Sequence, residues 1–178
     1  MEVETPRLLI RSLHLADAEA LVAMWADTQV TQFMGGPRDR AEVRRLVEED
    51  AQLPTPRDID LWPVVEKSSG RVVGDCGLIN KEVDGQSEVE LIYVLERESW
   101  GKGYATEAAS AIMRYAFAEL GLPRLICLID PRNVASERVA IKLGMTLEKE
   151  TARPGGKVMR VYAISNAQGQ TLVPPCGS

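Results

Sequence analysis

Apolar residues along the chain change their spacing several times, and each change marks a predicted element. Residues 7–13 (RLLIRSL) read as a strand, after which Ala20, Leu21, Met24 and Trp25 return at the spacing of a helix that Asp17 is placed to cap. A second helix is predicted over residues 39–53, broken by Pro54 and Pro56. β-formers then dominate residues 61–66 and 72–80, with Ser68-Ser69-Gly70 as the hairpin turn between them, and residues 89–95 complete a meander. Behind the stretch Trp100-Gly101-Lys102-Gly103-Tyr104-Ala105 comes a helix with Ala108, Ala109, Ile112, Ala116 and Leu120 on one face and Gly121 as its stop. Residues 124–130 (RLICLID) form a near-continuous apolar run, the pattern of a strand covered on both faces. A short helix over 135–143, stopping at Gly144, and a closing hairpin of 145–151 and 158–165 about Pro154-Gly155-Gly156 finish the fold. The order is that of an α/β (α+β) protein.

A chain of 178 residues with 45% hydrophobic side chains can bury one core, and one domain over residues 1–167 is expected, with the polar, Pro/Gly-rich stretch 168–178 as a loose tail. The N-terminus carries acid where a secretory leader has a basic head, and no run is apolar for long enough to cross a bilayer. A cytoplasmic protein with no membrane partner is therefore expected. Cys76, Cys127 and Cys176 lack metal-ligand spacing, so neither a disulfide framework nor a metal site is indicated. His14 is the one histidine, which leaves little room for a Ser-His-Asp or Cys-His pair. A formal charge of −5 argues against nucleic acid as a partner and suits a cationic, amine-bearing substrate better.

The chemistry points to residues 101–106. Glycines at 101 and 103 and a small Ala105 let backbone N–H groups approach an anion at the positive end of the following helix, and a diphosphate fits there. Lys102 adds charge nearby, or is simply a solvated surface lysine. A lone Gly-x-Gly also fits a plain tight turn into a helix.

The surrounding residues narrow this choice. The run Glu90-Leu-Ile-Tyr-Val-Leu-Glu-Arg-Glu-Ser-Trp-Gly-Lys-Gly-Tyr-Ala-Thr-Glu-Ala resembles the acetyl-CoA signature of GNAT N-acetyltransferases, most of all the RimJ/RimL branch, with Trp100 replacing the polar first residue of the family's Arg/Gln-x-x-Gly-x-Gly/Ala pattern. Asn133-Val-Ala-Ser136 and Lys142-Leu143-Gly144-Met145 are similar to further elements of that branch, as are Glu4-Thr-Pro-Arg-Leu-Leu-Ile-Arg and Phe33-Met34-Gly35-Gly36. The likeness spans about residues 5–165.

The resemblance implies a GNAT fold, a mixed, twisted seven-stranded sheet flanked by about four helices and splayed between the fourth and fifth strands. It implies acetyl-CoA as co-substrate, no metal, and a primary amine acceptor, either a protein N-terminus or a small molecule. Pantetheine would pair with the backbone of Tyr93, Val94 and Leu95, the phosphates would meet Gly101, Lys102, Gly103, Tyr104, Ala105 and Thr106, and Asn133 would reach the CoA arm. Asn133 and Ser136 also suit plain helix capping. The family's frequent acid, a tyrosine one residue after Val139, is here Ala140. Ser136 is then the preferred partner of the departing thiolate, with Tyr93 second. Glu90 is the first candidate base and Glu88, on the same strand face, the next, unless each is an ordinary strand carboxylate paired with a surface cation. A non-catalytic acyl-CoA sensor is the alternative, and a monomer or homodimer are both open.

Overall fold

Strand alternation begins earlier than residue 7. A short edge strand, β1 (Glu2–Glu4), pairs antiparallel with β2 (Leu8–Arg11), which buries Leu8 and Ile10 on one face. The computed structural model of the protein describes residues 1–53, 57–153 and 155–172, so the expected break at Pro54 and Pro56, Pro154 of the closing turn and Cys176 lie outside the described residues. Helices α1 (Ala18–Trp25) and α2 (Arg40–Ala51) follow. Asp39 caps α2 by accepting the Glu42 N–H at 2.9 Å. Asp17 does not cap α1: its carboxylate takes two bonds from Arg11, at 2.7 and 2.9 Å, and one from the His14 N–H, so it is held toward the residues before the helix.

The meander is β3 (Leu61–Glu66), β4 (Arg71–Val83) and β5 (Gln86–Leu95). β4 and β5 run further towards each other than the expected strands because Asp84 and Gly85 both adopt positive φ and close a two-residue hairpin. Then come α3 (Tyr104–Ala118), β6 (Arg124–Ile129), α4 (Val134–Lys142), β7 (Thr146–Ala152) and β8 (Val158–Ser165). The stretch expected as a loose tail from Gln168 instead starts inside a helix, α5 (Asn166–Leu172). Asn166 Nδ2 donates to the Leu122 carbonyl, and Gly169 lies so close to Phe117 that a Cβ there would come within 2.4 Å of the ring, so the glycine is what permits the helix to dock.

The eight strands form one mixed sheet in the order β1-β2-β3-β4-β5-β6-β8-β7, one strand more than expected because of β1. α3 packs with α4 and α5 on one face over Leu78, Leu91, Leu125 and Cys127, and α1 and α2 cover Val94 and Ile92 on the other. Buried Cys76 and Cys127 are free thiols within this packing, both held protonated by burial. No helix of the described residues is long and apolar enough to cross a membrane.

Two glycines let the meander close tightly. A Cβ on Gly77 would sit 2.0 Å from the Asp60 carbonyl oxygen, and one on Gly74 would sit 2.2 Å from that of Val94. Because the obstacle is backbone, side-chain repacking cannot relieve it. Gly77→Ala is expected to cost about 3 kcal/mol and to lower Tm by roughly 6–12 °C in a thermal melt.

Candidate active site

β5 and β6 are parallel and share one register pair, Glu90 opposite Ile126. C-terminal to it no further pair joins them, and a cleft of about 410 Å³ occupies the gap. Tyr93, Val94 and Leu95 form one wall, and Asn133, Ala135, Ser136, Arg138, Val139 and Lys142 of α4 form the other. Its floor is Ser99, Trp100, Gly101, Gly103, Tyr104, Ala105 and Thr106, and Gln29, Val30, Gln32, Phe33 and Met34 of the α1–α2 connection close the remaining side.

The turn into α3 opens a helix N-terminus onto the cleft. Gly101 and Gly103 hold φ of +75° and +82°, a conformation that side chains rarely adopt, although Gly101 has open space around it and a Cβ on Gly103 would meet only Arg7 Nη2, at an ordinary contact distance of 3.4 Å. The glycines are therefore required by backbone shape rather than by crowding. Tyr104, Ala105 and Thr106 open a 15-residue helix, so their N–H groups have no acceptor within it and carry the positive end of its dipole. The Tyr104 phenol turns away and donates to Glu66 at 2.5 Å. Trp100, the departure from the family pattern, donates its indole N–H to the Leu95 carbonyl at 2.8 Å and ties the turn to the end of β5.

Across the cleft, Asn133 caps α4 by accepting the Ser136 N–H at 3.1 Å. Ser136 Oγ donates to the Tyr93 hydroxyl at 3.1 Å, and Tyr93 donates onward to the Ser136 carbonyl at 2.9 Å. The two hydroxyls form one unit, and burial keeps the Tyr93 phenol protonated.

Of the predicted site residues, Lys102 and Glu90 do not line the cleft. Lys102 leans over the Tyr104 ring, 5.8 Å from its centroid. Glu90 is buried at the base of the gap, accepting the Leu128 N–H at 3.3 Å with the Lys81 ammonium 3.9 Å away. Burial lifts its carboxyl above the usual carboxylate range, against the pull of Lys81 and that N–H. Glu88 is committed to Arg124 at 3.0 Å. Phe33, Arg138 and Lys142 were not among the predicted binding residues; the α1–α2 connection has no periodicity to place it, and α4 gives no sign in sequence of which face meets the cleft. Phe33 is held from the far side, its carbonyl accepting the Lys157 ammonium at 2.6 Å and its ring meeting Arg132 at 5.8 Å. Asp130 ion-pairs with both cations, and Arg132 chiefly holds its carboxyl well below the usual range.

A mixed sheet with two parallel strands parting over a glycine turn defines an acyltransferase of the GNAT type, and the comparisons agree. Residues 7–146 match the family described as Acetyltransferase (GNAT) domain, and the chain belongs to that family. It is an N-acetyltransferase. The chain is 33% identical to the Bacillus subtilis protein YkkB, over 89% of this chain and 92% of that one. It is 29% identical to p20, an N-acetyltransferase of Bacillus licheniformis, over 90% and 93%. A GNAT-family acetyltransferase from Bacillus anthracis superposes with a TM-score of 0.80 at 28% identity, over 94% of this chain and 99% of that one.

One buried carboxyl lies behind the β5 wall. Asp75, opposite Val94 on the β4–β5 ladder, accepts the Trp25 indole N–H at 2.8 Å, and burial pushes it up to about 6. The fold thus binds this proton more tightly than the unfolded chain does. The associated stability is complete below about pH 4 and is lost as pH rises through 6. At about 1.4 kcal/mol for each tenfold change in proton affinity, the loss is on the order of 3 kcal/mol. Asp75→Asn keeps an acceptor for the indole and removes the charge. Urea unfolding between pH 4 and 8 is expected to show this decline in the parent protein and a flatter curve in the variant.

Proposed function

We propose that the protein transfers an acetyl group from acetyl-CoA to a primary amine by direct attack in a ternary complex, as the RimJ/RimL-like motifs imply. The observation that carries the reading is the pair of left-handed glycines at the head of α3, opening on a cleft whose opposite wall is a strand edge. These residues fit the co-substrate: the N–H groups of residues 103–106 suit a diphosphate, and the backbone of Tyr93, Val94 and Leu95 suits the amide groups of a pantetheine arm. Acetyl-CoA, when bound, supplies the acyl group and a thiolate leaving group.

The chain's own residues then hold the reacting groups and take up the proton that the amine releases, while the thiolate leaves hydrogen-bonded and takes its proton from solvent. Asn133, by capping α4, fixes the first turn of the helix that carries Ser136 and so where its hydroxyl points. Ser136 Oγ–H, swinging from the Tyr93 oxygen that accepts it in the free protein, hydrogen-bonds the departing thiolate, and the Tyr93 phenol, anchored on the Ser136 carbonyl, fixes the position from which it turns. Glu90 takes the proton that the attacking amine gives up, through water from its place below the cleft; a raised proton affinity makes it a better base than an exposed carboxylate. Arg138 and Lys142 have no ion-pair partner among the described residues and present positive charge to the phosphate-bearing ligand.

Two measurements test this. Calorimetry should show CoA binding, and CoA at 100 times its Kd should raise Tm by roughly 5–10 °C. Thiol release from acetyl-CoA, assayed with a panel of small amines and N-terminal peptides, should report turnover and name the acceptor class; stabilisation without turnover on any amine would favour the sensor. Because Glu90 must be ionised to act, kcat should rise with pH through its raised titration range. Glu90→Gln is expected to lower kcat on the order of 100-fold and remove that limb, leaving KM for acetyl-CoA little changed.

A further inference from the structure

We propose that Arg7 is a positioning residue that holds the glycine turn in its anion-binding shape, an inference that rests on reading the turn as the diphosphate site. Arg7 lies on the bend between β1 and β2, about a hundred residues before the turn, yet its guanidinium reaches it. Nη1 donates to the Lys102 carbonyl at 2.9 Å. Nε donates to Glu107 Oε2 at 2.7 Å, and Nη2 lies 2.6 Å from the same oxygen. Glu107 is fixed in turn by the Arg7 N–H at 2.9 Å and the Thr5 hydroxyl at 2.6 Å. The guanidinium also covers the Tyr104 ring, 4.6 Å from its centroid.

The consequence follows from peptide geometry. In a planar trans peptide the C=O and the next N–H point in opposite directions, so a Lys102 carbonyl held on Arg7 aims the Gly103 N–H away from it. Gly103, whose φ sets one side of this plane, would otherwise leave it free to rotate, since glycine has the widest choice of backbone states. Arg7 removes that freedom before any ligand arrives, which is how preorganisation raises affinity. Its side chain is 48% exposed, so as an ion pair it adds little to the stability of the fold. A lysine cannot replace it, because one ammonium on a flexible stem lacks the planar fork that spans Glu107 and the Lys102 carbonyl together.

The test compares Arg7→Ala, Arg7→Lys and Glu107→Gln with the parent protein. In the CoA-free protein, hydrogen exchange of the amides of residues 101–106 should accelerate about tenfold in Arg7→Ala, while Tm falls by no more than about 2 °C. By calorimetry, Kd for CoA should rise about tenfold in Arg7→Ala and Arg7→Lys and by a smaller factor in Glu107→Gln. In turnover, KM for acetyl-CoA should rise while kcat stays within about twofold. The proposal is overturned if exchange and Kd are unchanged, if lysine restores both, or if Tm falls steeply. It is also overturned if the affinity loss disappears with dephospho-CoA, which would mean direct contact with the 3′-phosphate. A parent protein that fails to bind CoA would sink the reading of the site itself, and the clamp with it, whatever the exchange rates show.

Discussion

Two parallel strands that stop pairing after one residue pair create a debt of backbone hydrogen bonds, and much of the site consists of what settles it. Buried N–H and C=O groups need partners. Along the gap beyond Glu90 and Ile126, the Leu91 carbonyl is 3.2 Å from the Cys127 thiol, the Leu128 N–H finds the Glu90 carboxylate, and the Leu95 carbonyl finds the Trp100 indole. Side chains thus replace the ladder at the base and the mouth of the wedge. Between those points the edge around Tyr93 and Val94 faces the cleft, and an extended ligand with amide groups is the natural complement of such an edge.

Elements with strong periodicity were legible in the sequence. The strand at Leu61–Glu66, the apolar run of β6 and the helix behind the glycines fall where their patterns put them, because each must bury a full face. What the pattern hid depended on partners distant in sequence. β1 is three residues with two glutamates, and only its pairing to β2 makes it a strand. Asp17 has the side chain of a helix cap, but Arg11 holds it first. The polar segment after Ser165 becomes helical because Phe117 and Leu122, more than forty residues earlier, offer it a docking surface.

The site divides along the same line. The glycine turn stood out in the sequence because it is contiguous and its two positive φ angles are ones that glycine favours. The α4 side could be read in part: Asn133 and Ser136 are where the motif puts them, and the capping role and the cleft position coexist because the cap is what aims Ser136. Lys102, the obvious cation of the motif, points elsewhere, whereas Arg138 and Lys142 reach the cleft from a helix whose orientation the sequence does not reveal.

Two buried carboxyls with different surroundings show how environment assigns roles that residue type leaves open. Asp75 and Glu90 are both raised by burial, and both are on central strands. Asp75 has one neutral partner, the Trp25 indole, with Asp17 and Asp60 adding like charge from a distance. Its charged form is therefore poorly supported, and it contributes most to the fold when it is a neutral acid. Glu90 has a backbone N–H, an ammonium 3.9 Å away and Arg153 acting at longer range. That set can stabilise a carboxylate while burial keeps its proton affinity above that of an exposed one. The base proposed for the reaction must take up a proton and give it back, so it needs both states within reach, and the surroundings of Glu90 meet that requirement where those of Asp75 do not.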